Sequence, residues 1–344
     1  MITPFTLHYT ILVAQLQKKY VSLCPVDALT RPRAPLFAAL GSLFALDDTR
    51  SLTFVLDEQR RDGQRLQGFI QIDHPAARPE AYIKHLAPRL DTEDESYKEI
   101  RTIWSRLLSH AVSASGERGR QRVFACAPEG QGILGALLSA GFMVYTHEEI
   151  FGLAPDTHPQ AVAQKDIRPE QSVDAWPISQ LYRQVTPHLV QQAEILTGSR
   201  DHRAGFGPIA WEQGEGFVSQ EQGIITGYGH LMPGRTGHWL SILIQPQRYG
   251  HVDKLLDYGL ALLNYYPPRP VYCSVREYQG GLRAPLIERG FKPISLQCRL
   301  VKHTTAWAKE PARNLVPALE QRAKAPTPTA SQTENRVYNS ICQI

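Results

Sequence analysis

The sequence predicts a mixed α/β fold built from two copies of one domain. Residues 123–142 and 271–291 each read as a short β-rich run, a turn, a helical run and then a Gly-Phe pair that opens another strand. Aligning Gly141 with Gly290 gives an offset of 149 residues (290 − 141). The length of 344 residues suits two domains of ordinary size, each able to bury its own core.

The first half alternates helical and β-type patterns. It is predicted to form helices at residues 12–20 and 35–44, strands at 52–56, 66–72 and 81–86, a helix at 95–112, and strands at 123–127 and 143–153 around a short helix. Asp62 and Gly63 between the first two strands favour a tight hairpin turn. Apolar residues of the 95–112 segment fall on one helical face.

The second half repeats this order. It is predicted to form a helix at residues 176–196 that is interrupted near Pro187, strands at 216–219, 224–232 and 238–244, a helix at 252–264, and then the repeated block. Residues 154–170 hold three prolines and few large apolar side chains, as in a linker. Residues past about 307 are too polar to offset their ordering entropy and are predicted to be disordered.

These patterns predict four regions. They are a first domain at residues 1–155, a linker at 156–170, a second domain at 171–308 and a tail at 309–344. Residues 143–153 and 291–301 are apolar strands at the ends of the two domains, so we expect them to lie near the interface or to complete a sheet.

Composition argues against several function classes. Lys and Arg number 37 against 33 Asp and Glu, and a net charge of +4 without a basic stripe predicts no nucleic-acid partner. The five cysteines are odd in number and lack metal-ligand spacing, so buried packing and no metal are expected. No charged-then-apolar leader and no apolar run approaching ~18 residues is present, which predicts a cytoplasmic protein without a membrane partner.

The order of elements resembles the GNAT superfamily of acetyl-CoA-dependent N-acyltransferases, as a tandem pair over nearly all of residues 1–308. More narrowly, the chain resembles uncharacterised tandem GNAT proteins of bacteria through ALTRPRAPL from Ala28, REYQGGL at 276–282 and LVKHTTA at 300–306. The resemblance implies two domains, each a mixed, mostly antiparallel twisted sheet flanked by helices. It implies no particular acceptor, because one fold serves many substrates.

The resemblance also implies a site for acetyl-CoA as cosubstrate. The family carries Gln/Arg-x-x-Gly-x-Gly/Ala after its central strand, where N–H groups at a helix N-terminus hold the coenzyme's pyrophosphate. Gln247 and Gly250 match, whereas Val252 replaces a small residue. The predicted cofactor-binding residues are Leu243, Ile244, Gln247, Arg248, Tyr249, Gly250, His251 and Val252. The alternative is a structural strand-to-helix turn that has lost its ligand.

The matching segment of the first half, residues 87–95, has no glycine and carries four carboxylates in its last five residues. Acidic side chains stabilise a helix N-terminus but would repel a pyrophosphate there. The first half is therefore predicted to be a scaffold copy.

The candidate catalytic residues match the family's pattern less closely than the coenzyme loop does. The tyrosine that the family often uses as acid is replaced by Leu137 and Leu286. The candidates are His238 and Glu277 as bases and Tyr278 as acid. Each candidate has a competing interpretation. His238 would be a hydrogen-bonded structural residue, Glu277 would form a surface pair with Arg276, and Tyr278 would be an aromatic residue at the rim of the site.

Two functions from different classes follow. The leading prediction is transfer of an acetyl or other acyl group from coenzyme A to a primary amine, on a small molecule or a peptide, by direct attack. The competing prediction is a catalytically inactive tandem module that binds an acyl-CoA, a peptide or a partner protein. The missing tyrosine favours the module, and Gln247 and Gly250 favour the enzyme.

Overall fold

A computed structural model describes residues 1–43, 50–60, 63, 65–75, 78–90, 96–155, 166–194 and 214–304. One compact unit spans Met1–Ala306. The predicted tail, most of the predicted linker and the acidic residues 91–95 lie outside the described residues. The predicted division into domains therefore stays a prediction.

The first half contains seven strands and five α-helices among its described residues. The strands are β1 (Ile2–Pro4), β2 (Val21–Ser22), β3 (Arg50–Gln59), β4 (Arg65–His74), β5 (Glu80–Ala87), β6 (Arg122–Pro128) and β7 (Met143–Leu153), and the helices are α1 (Thr10–Leu16), α2 (Pro25–Thr30), α3 (Pro35–Leu43), α4 (Tyr97–Glu117) and α5 (Gln131–Ser139). The strands and helices predicted here are present, and β1, β2 and α2 are additional.

The second half has six strands and four α-helices in its described part. They are β8 (Ile167–Pro169), α6 (Ala175–Val185), α7 (His188–Glu194), β9 (Glu215–Glu221), β10 (Ile224–Met232), β11 (His238–Ile244), α8 (Val252–Leu262), β12 (Val271–Arg276), α9 (Arg283–Glu288) and β13 (Lys292–His303). The predicted interruption near Pro187 separates α6 from α7. Proline lacks the N–H that a helix interior needs, so the break falls where the sequence indicates.

The described strands form one 13-stranded sheet that runs through both halves. Its order is β1-β3-β4-β5-β6-β13-β7-β12-β11-β10-β9-β8, with β2 paired to β5. Two neighbouring pairs, β5 with β6 and β11 with β12, are parallel, and the other pairs are antiparallel. The predicted class, a mixed and mostly antiparallel sheet flanked by helices, is confirmed.

The two halves exchange their last strands. Strand β13 of the second half lies between β6 and β7 of the first half, and β7 in turn pairs with β12 of the second half. Both strands were predicted to lie near the interface or to complete a sheet, and they do both.

The halves also exchange a short helix each. Helix α2 of the first half places Val26 against Trp239 of β11, and Arg31 donates a hydrogen bond of 2.6 Å to the Pro233 carbonyl. Helix α7 of the second half places Ala193 against Tyr82 and Phe124 of the first half. Each half thus covers part of the sheet that the other half builds.

The core lies on both faces of the sheet. Trp104 of α4 is fully buried and donates its indole N–H to the Pro88 carbonyl at 2.8 Å. Leu255, Leu256 and Leu260 bury the inner face of α8 against β11. Among the described residues, none of the helices combines the length and the apolar character needed to cross a membrane.

Candidate active site

Each half contains one cleft between two parallel strands that separate. In the first cleft, β5 and β6 pair from Glu80 to Tyr82 and then part. In the second cleft, β11 and β12 pair from His238 to Leu240 and then part, although both strands continue. Backbone groups along the separated edges are available to anything that enters the cleft.

The first cleft is closed by the chain itself. Strand β2 pairs with β5 in the register Val21 to Leu86, and the next residue, Leu23, donates its N–H to the Lys84 carbonyl at 2.8 Å. The Leu23 carbonyl then accepts from the N–H of Cys126 on β6, at 2.9 Å. This segment therefore bonds to both strands and occupies the place of a ligand.

A buried cation fixes the segment that follows. The Lys84 ammonium contacts the Asp27 carboxylate of α2 and lies 3.3 Å from that of Asp73. A buried charge that is held by two acids is costly to uncover. The first cleft is accordingly a rigid part of the scaffold, in keeping with the role predicted for the first half.

The second cleft holds a small polar cavity. Its volume is ≈ 20 Å³, enough for about one water. Its lining comes from β11, β12, the turn after β12 and α6, and comprises Tyr182, Ser241, Ile242, Leu243, Ser274, Arg276, Tyr278 and Gln279. The Gln279 amide donates to the Ile242 carbonyl at 3.1 Å, so a side chain bridges this cleft where main chain fills the other.

A buried ion pair lies at the bottom of the second cleft. The Arg276 guanidinium meets Glu194 at the end of α7, with Nη2 2.8 Å from Oε1 and Nη1 3.0 Å from Oε2. The hydroxyls of Tyr145 and Tyr182 also donate to Glu194, at 3.0 and 2.8 Å. Arg276 is 6% exposed, so its interpretation as half of a surface pair is wrong.

Further hydrogen bonds and ion pairs connect this pair to β7 and β13, the strands that the halves exchange. Arg299 of β13 donates to the Tyr145 hydroxyl at 2.9 Å and pairs with Glu148 of β7 at 3.0 Å. Arg122 of β6 donates to the Ala193 carbonyl at the end of α7. Sequence reasoning missed Glu194, because a glutamate at the end of an amphipathic helix is ordinarily solvated.

Tyr278 lies at this cleft, as a candidate acid must. Its hydroxyl accepts a hydrogen bond of 2.9 Å from Arg276 Nη1 and also interacts with the Thr186 side chain. Burial raises the pKa of the Tyr278 hydroxyl, and the charge of Arg276 opposes that rise. The hydroxyl therefore stays protonated at neutral pH.

Glu277 follows Arg276, the last residue of β12. Its side chain is 55% exposed, and it accepts from the Thr146 hydroxyl at 3.1 Å and lies 3.2 Å from His147 Nδ1. Both partners belong to β7, so the first half holds this carboxylate in place. The residues that line the cavity of the second cleft include its neighbours Arg276 and Tyr278, and its role as a base stays a prediction.

The structure does not bring His238 to the same place. His238 begins β11 and is buried, with Nε2 3.0 Å from the Pro267 carbonyl. It stands beside Val271, five residues before Arg276, and thus about 16 Å away along the strand. The separation is set by strand direction, because the cleft opens at the carboxyl ends of β11 and β12.

The predicted coenzyme loop follows β11 directly. Residues Pro246–His251 form a tight turn, and α8 begins at Val252. A side chain added at Gly250 would meet nothing within 4 Å, so this position faces open space. The first N–H groups of α8 and the partial positive charge at its N-terminus suit a phosphate.

The side chains of three predicted cofactor residues point into the core. Leu243, Ile244 and Val252 are at most 4% exposed. They can contribute backbone groups: Gln245 bonds to Thr226 of β10, and because N–H groups alternate along a strand, those of Ile242 and Ile244 face the cleft. Of Gln247 and Tyr249, the structure describes the backbone.

Charged side chains flank the loop. Arg248 Nη1 lies 2.9 Å from Glu221 Oε2, and His251 Nδ1 lies 2.7 Å from Glu221 Oε1. Lys254, one turn into α8, pairs with Asp166 at 3.0 Å. Arg248 and His251 are therefore the basic side chains of the predicted coenzyme loop that this structure describes.

A larger open cavity of ≈ 370 Å³ lies elsewhere in the second half. It is lined by residues near β8, by the start of β9, and by Tyr258 and Leu262 of α8. These two residues follow Val252 by 6 and 10 positions, about 9 and 15 Å along the helix axis. This cavity is consequently remote from the loop and from the second cleft.

Solved structures that align with this chain include N-acetyltransferases. A tandem GNAT protein from the clavulanic acid biosynthesis pathway, without acetyl-CoA, is 16% identical, with 88% of this chain and 98% of that chain covered and a TM-score of 0.47. A GCN5-related N-acetyltransferase from Sphaerobacter thermophilus is 13% identical, with 88% and 95% covered and a TM-score of 0.46. A putative acetyltransferase from Pyrococcus horikoshii is 10% identical, with 89% and 90% covered and a TM-score of 0.45. No family model matches the sequence, and no curated protein does.

At these identities the alignments concern the course of the chain and not its substrate. The order of helices and strands can be described from this chain alone. Each half has helices, an antiparallel meander, a parallel pair that separates, and a helix and a strand that follow it. This order of helices and strands is the one that the sequence predicts.

Proposed function

We propose that the second half is an N-acyltransferase that moves an acetyl or other acyl group from coenzyme A to a primary amine. The observation that carries the proposal is the second cleft, whose free β11 edge leads directly into the N-terminus of α8. An acyl-CoA has an anionic end and an amide-bearing arm, and this arrangement offers N–H donors for the first and a strand edge for the second.

The residues divide the binding task by chemistry. The first N–H groups of α8, with Gly250 giving open approach, would hold the phosphates. Ile242 and Ile244 would pair with the amides of the arm through their backbone groups, once the Gln279 side chain leaves the Ile242 carbonyl. Arg248 and His251 would add positive charge beside the phosphates.

The groups at the far end of the cleft suit acyl transfer. The amine must be neutral to attack, and the departing sulfur needs a proton. Glu277 would take a proton from the amine, since its carboxylate is exposed and held by Thr146 and His147. Tyr278 would give its proton to the sulfur, because the Arg276 donor at the phenol oxygen would stabilise the phenolate that forms.

Calorimetric titration with acetyl-CoA and with free coenzyme A tests the binding step. The absence of heat at millimolar ligand would remove the enzyme hypothesis. Thiol release in the presence of a panel of primary amines then tests turnover. Tyr278→Phe is expected to lower turnover by about 10²-fold while leaving the affinity for acetyl-CoA within about twofold.

The competing function is an acyl-CoA-binding module without turnover. Leu286, at the usual position of the acid, is fully buried in the core and favours it. The small volume of the second cleft, ≈ 20 Å³, does not separate the two functions, because in both the bound arm must displace Gln279. Binding of acetyl-CoA with no thiol release from any amine of the panel would support the module.

A further inference from the structure

Two basic side chains of the coenzyme loop, Arg248 and His251, already contact one internal carboxylate. Glu221 ends β9, and its two carboxylate oxygens lie 2.7 Å from His251 Nδ1 and 2.9 Å from Arg248 Nη1. The hairpin turn that follows places Gln222 and Gly223 at positive φ, 49° and 84°, which fixes the direction in which β9 ends. One carboxylate therefore lies against both side chains, with Arg248 as its charged partner.

This geometry matches what a phosphate would do at the same place. A phosphate oxygen near the N-terminus of α8 would draw the same two cations, since both flank the first turn of that helix. The remaining acids nearby are engaged elsewhere, Asp166 with Lys254 and Asp253 with Arg289. Glu221 is thus the acid that contacts both basic side chains of the loop.

We infer that Glu221 is a built-in competitor of the coenzyme's phosphates, so that coenzyme A binds in exchange for the ion pairs of Glu221. This inference rests on the proposed function and adds an element of regulation to the same site. Glu221, which belongs to the β9–β10 hairpin, would then set the affinity for coenzyme A. Any change that moves this hairpin away from α8 would expose Arg248 and His251 and strengthen binding.

The expected change in coenzyme A affinity follows from the solvent exposure of the three side chains. The side chains of Arg248 and His251 are 45% and 35% exposed, and that of Glu221 is 25% exposed. Solvent screens such pairs, so releasing them changes an equilibrium by about three- to tenfold. Because the carboxylate is lost and the cations remain, the change is a gain of affinity.

The test is titration of the full chain with free coenzyme A, comparing wild type with Glu221→Gln. Glu58→Gln is the matched control: it removes a carboxylate of similar exposure that pairs with Arg106 in the first half. Glu221→Asp keeps the charge. We expect Glu221→Gln to bind about three- to tenfold more tightly, with the other two variants within about twofold of wild type.

Glu221→Ala serves as a second variant if the amide disturbs the hairpin, and it is expected to change affinity in the same direction. Equal or weaker binding by both variants, with wild type still binding, would overturn the inference and leave the proposed function standing. That outcome would mean that Glu221 positions the cations instead of competing for them. No binding by wild type or by either variant at millimolar coenzyme A would overturn both.

Discussion

The two clefts start from the same strand geometry and end in opposite states. The first is filled by main chain, with Leu23 bonded to both β5 and β6. The second is bridged by one side chain, that of Gln279. Main chain anchored between two helices cannot leave without unfolding, whereas a glutamine leaves by rotating about its own bonds. Two clefts with the same strand geometry can therefore differ in what fills them, with no change in the strands that form them.

The length of one connection accounts for the difference. In the first half, the helical turns end at Lys19 and α2 begins at Pro25, which leaves five residues, 20–24, to enter the cleft. In the second half, α6 ends at Val185 and α7 begins at His188, which leaves two residues, 186–187. Two residues are too short to reach between the strands and return.

The largest effect is expected when the two halves are expressed as separate chains. Residues 165–344 expressed alone are expected to be poorly soluble or to self-associate, because β13 loses both β6 and β7. Adding residues 1–155 as a separate chain should rescue them. Size-exclusion chromatography with light scattering gives the answer, and a monodisperse, stably folded second half would show that the first half is dispensable for folding.

Next in size is a pair of substitutions, one at each cleft. Leu23→Ala should cost about 2–5 kcal/mol of unfolding free energy, since Leu23 is 1% exposed within the first core. Gln279→Ala should cost about 1 kcal/mol and leave coenzyme A affinity equal or higher. Urea unfolding and calorimetry measure both effects. Comparable losses of stability would mean that the two clefts are closed equally firmly.

A substitution in the coenzyme loop tests whether coenzyme A binds to the second half. Gly250→Glu should weaken coenzyme A binding by about tenfold or more, because a carboxylate would stand beside the phosphates. Gly135→Glu in α5 of the first half is the control, since a side chain there also meets nothing within 4 Å. Equal loss in both variants, or in neither, would contradict the assignment.

The smallest expected effect is a dependence on pH that belongs to the first cleft. His85 of β5 stands beside Ser22, and burial, aided by the charge of Lys84, lowers its pKa from 6.5 to about 4. Because the folded pKa is the lower one, the contribution of His85 to stability is present above pH 6.5 and is lost as the pH falls toward 4. Between pH 7 and 5.5 the loss should be on the order of 1 kcal/mol.

His85→Gln should remove this part of the pH dependence, as measured by urea unfolding at the two pH values. His188→Gln is the control, because His188 is exposed on α7 in the second half. A pH dependence that is unchanged in His85→Gln would show that other groups account for the acid sensitivity of the first half.

Much of the fold could be predicted from local pattern. The bounds of β7 and of β11 are as predicted, 143–153 and 238–244, because alternating and β-branched residues there agree with their surroundings. The repeated block also directs attention to Tyr278, which lines the second cleft, and to Glu277, whose side chain contacts β7. His238 was not distinguished from them, since sequence does not show at which end of a strand pair a cleft opens.

Local sequence was enough to predict the order of helices and strands, the break at Pro187 and the turn with Gly250 before α8. Each of these depends on residues that are neighbours along the chain. Only the tertiary structure decided that β13 enters between β6 and β7, that the connection at residues 20–24 fills the first cleft, and that Arg276 is buried on Glu194. The physical reason is that strand pairing and charge burial depend on which distant edges and surfaces remain unoccupied, and local periodicity carries no record of those.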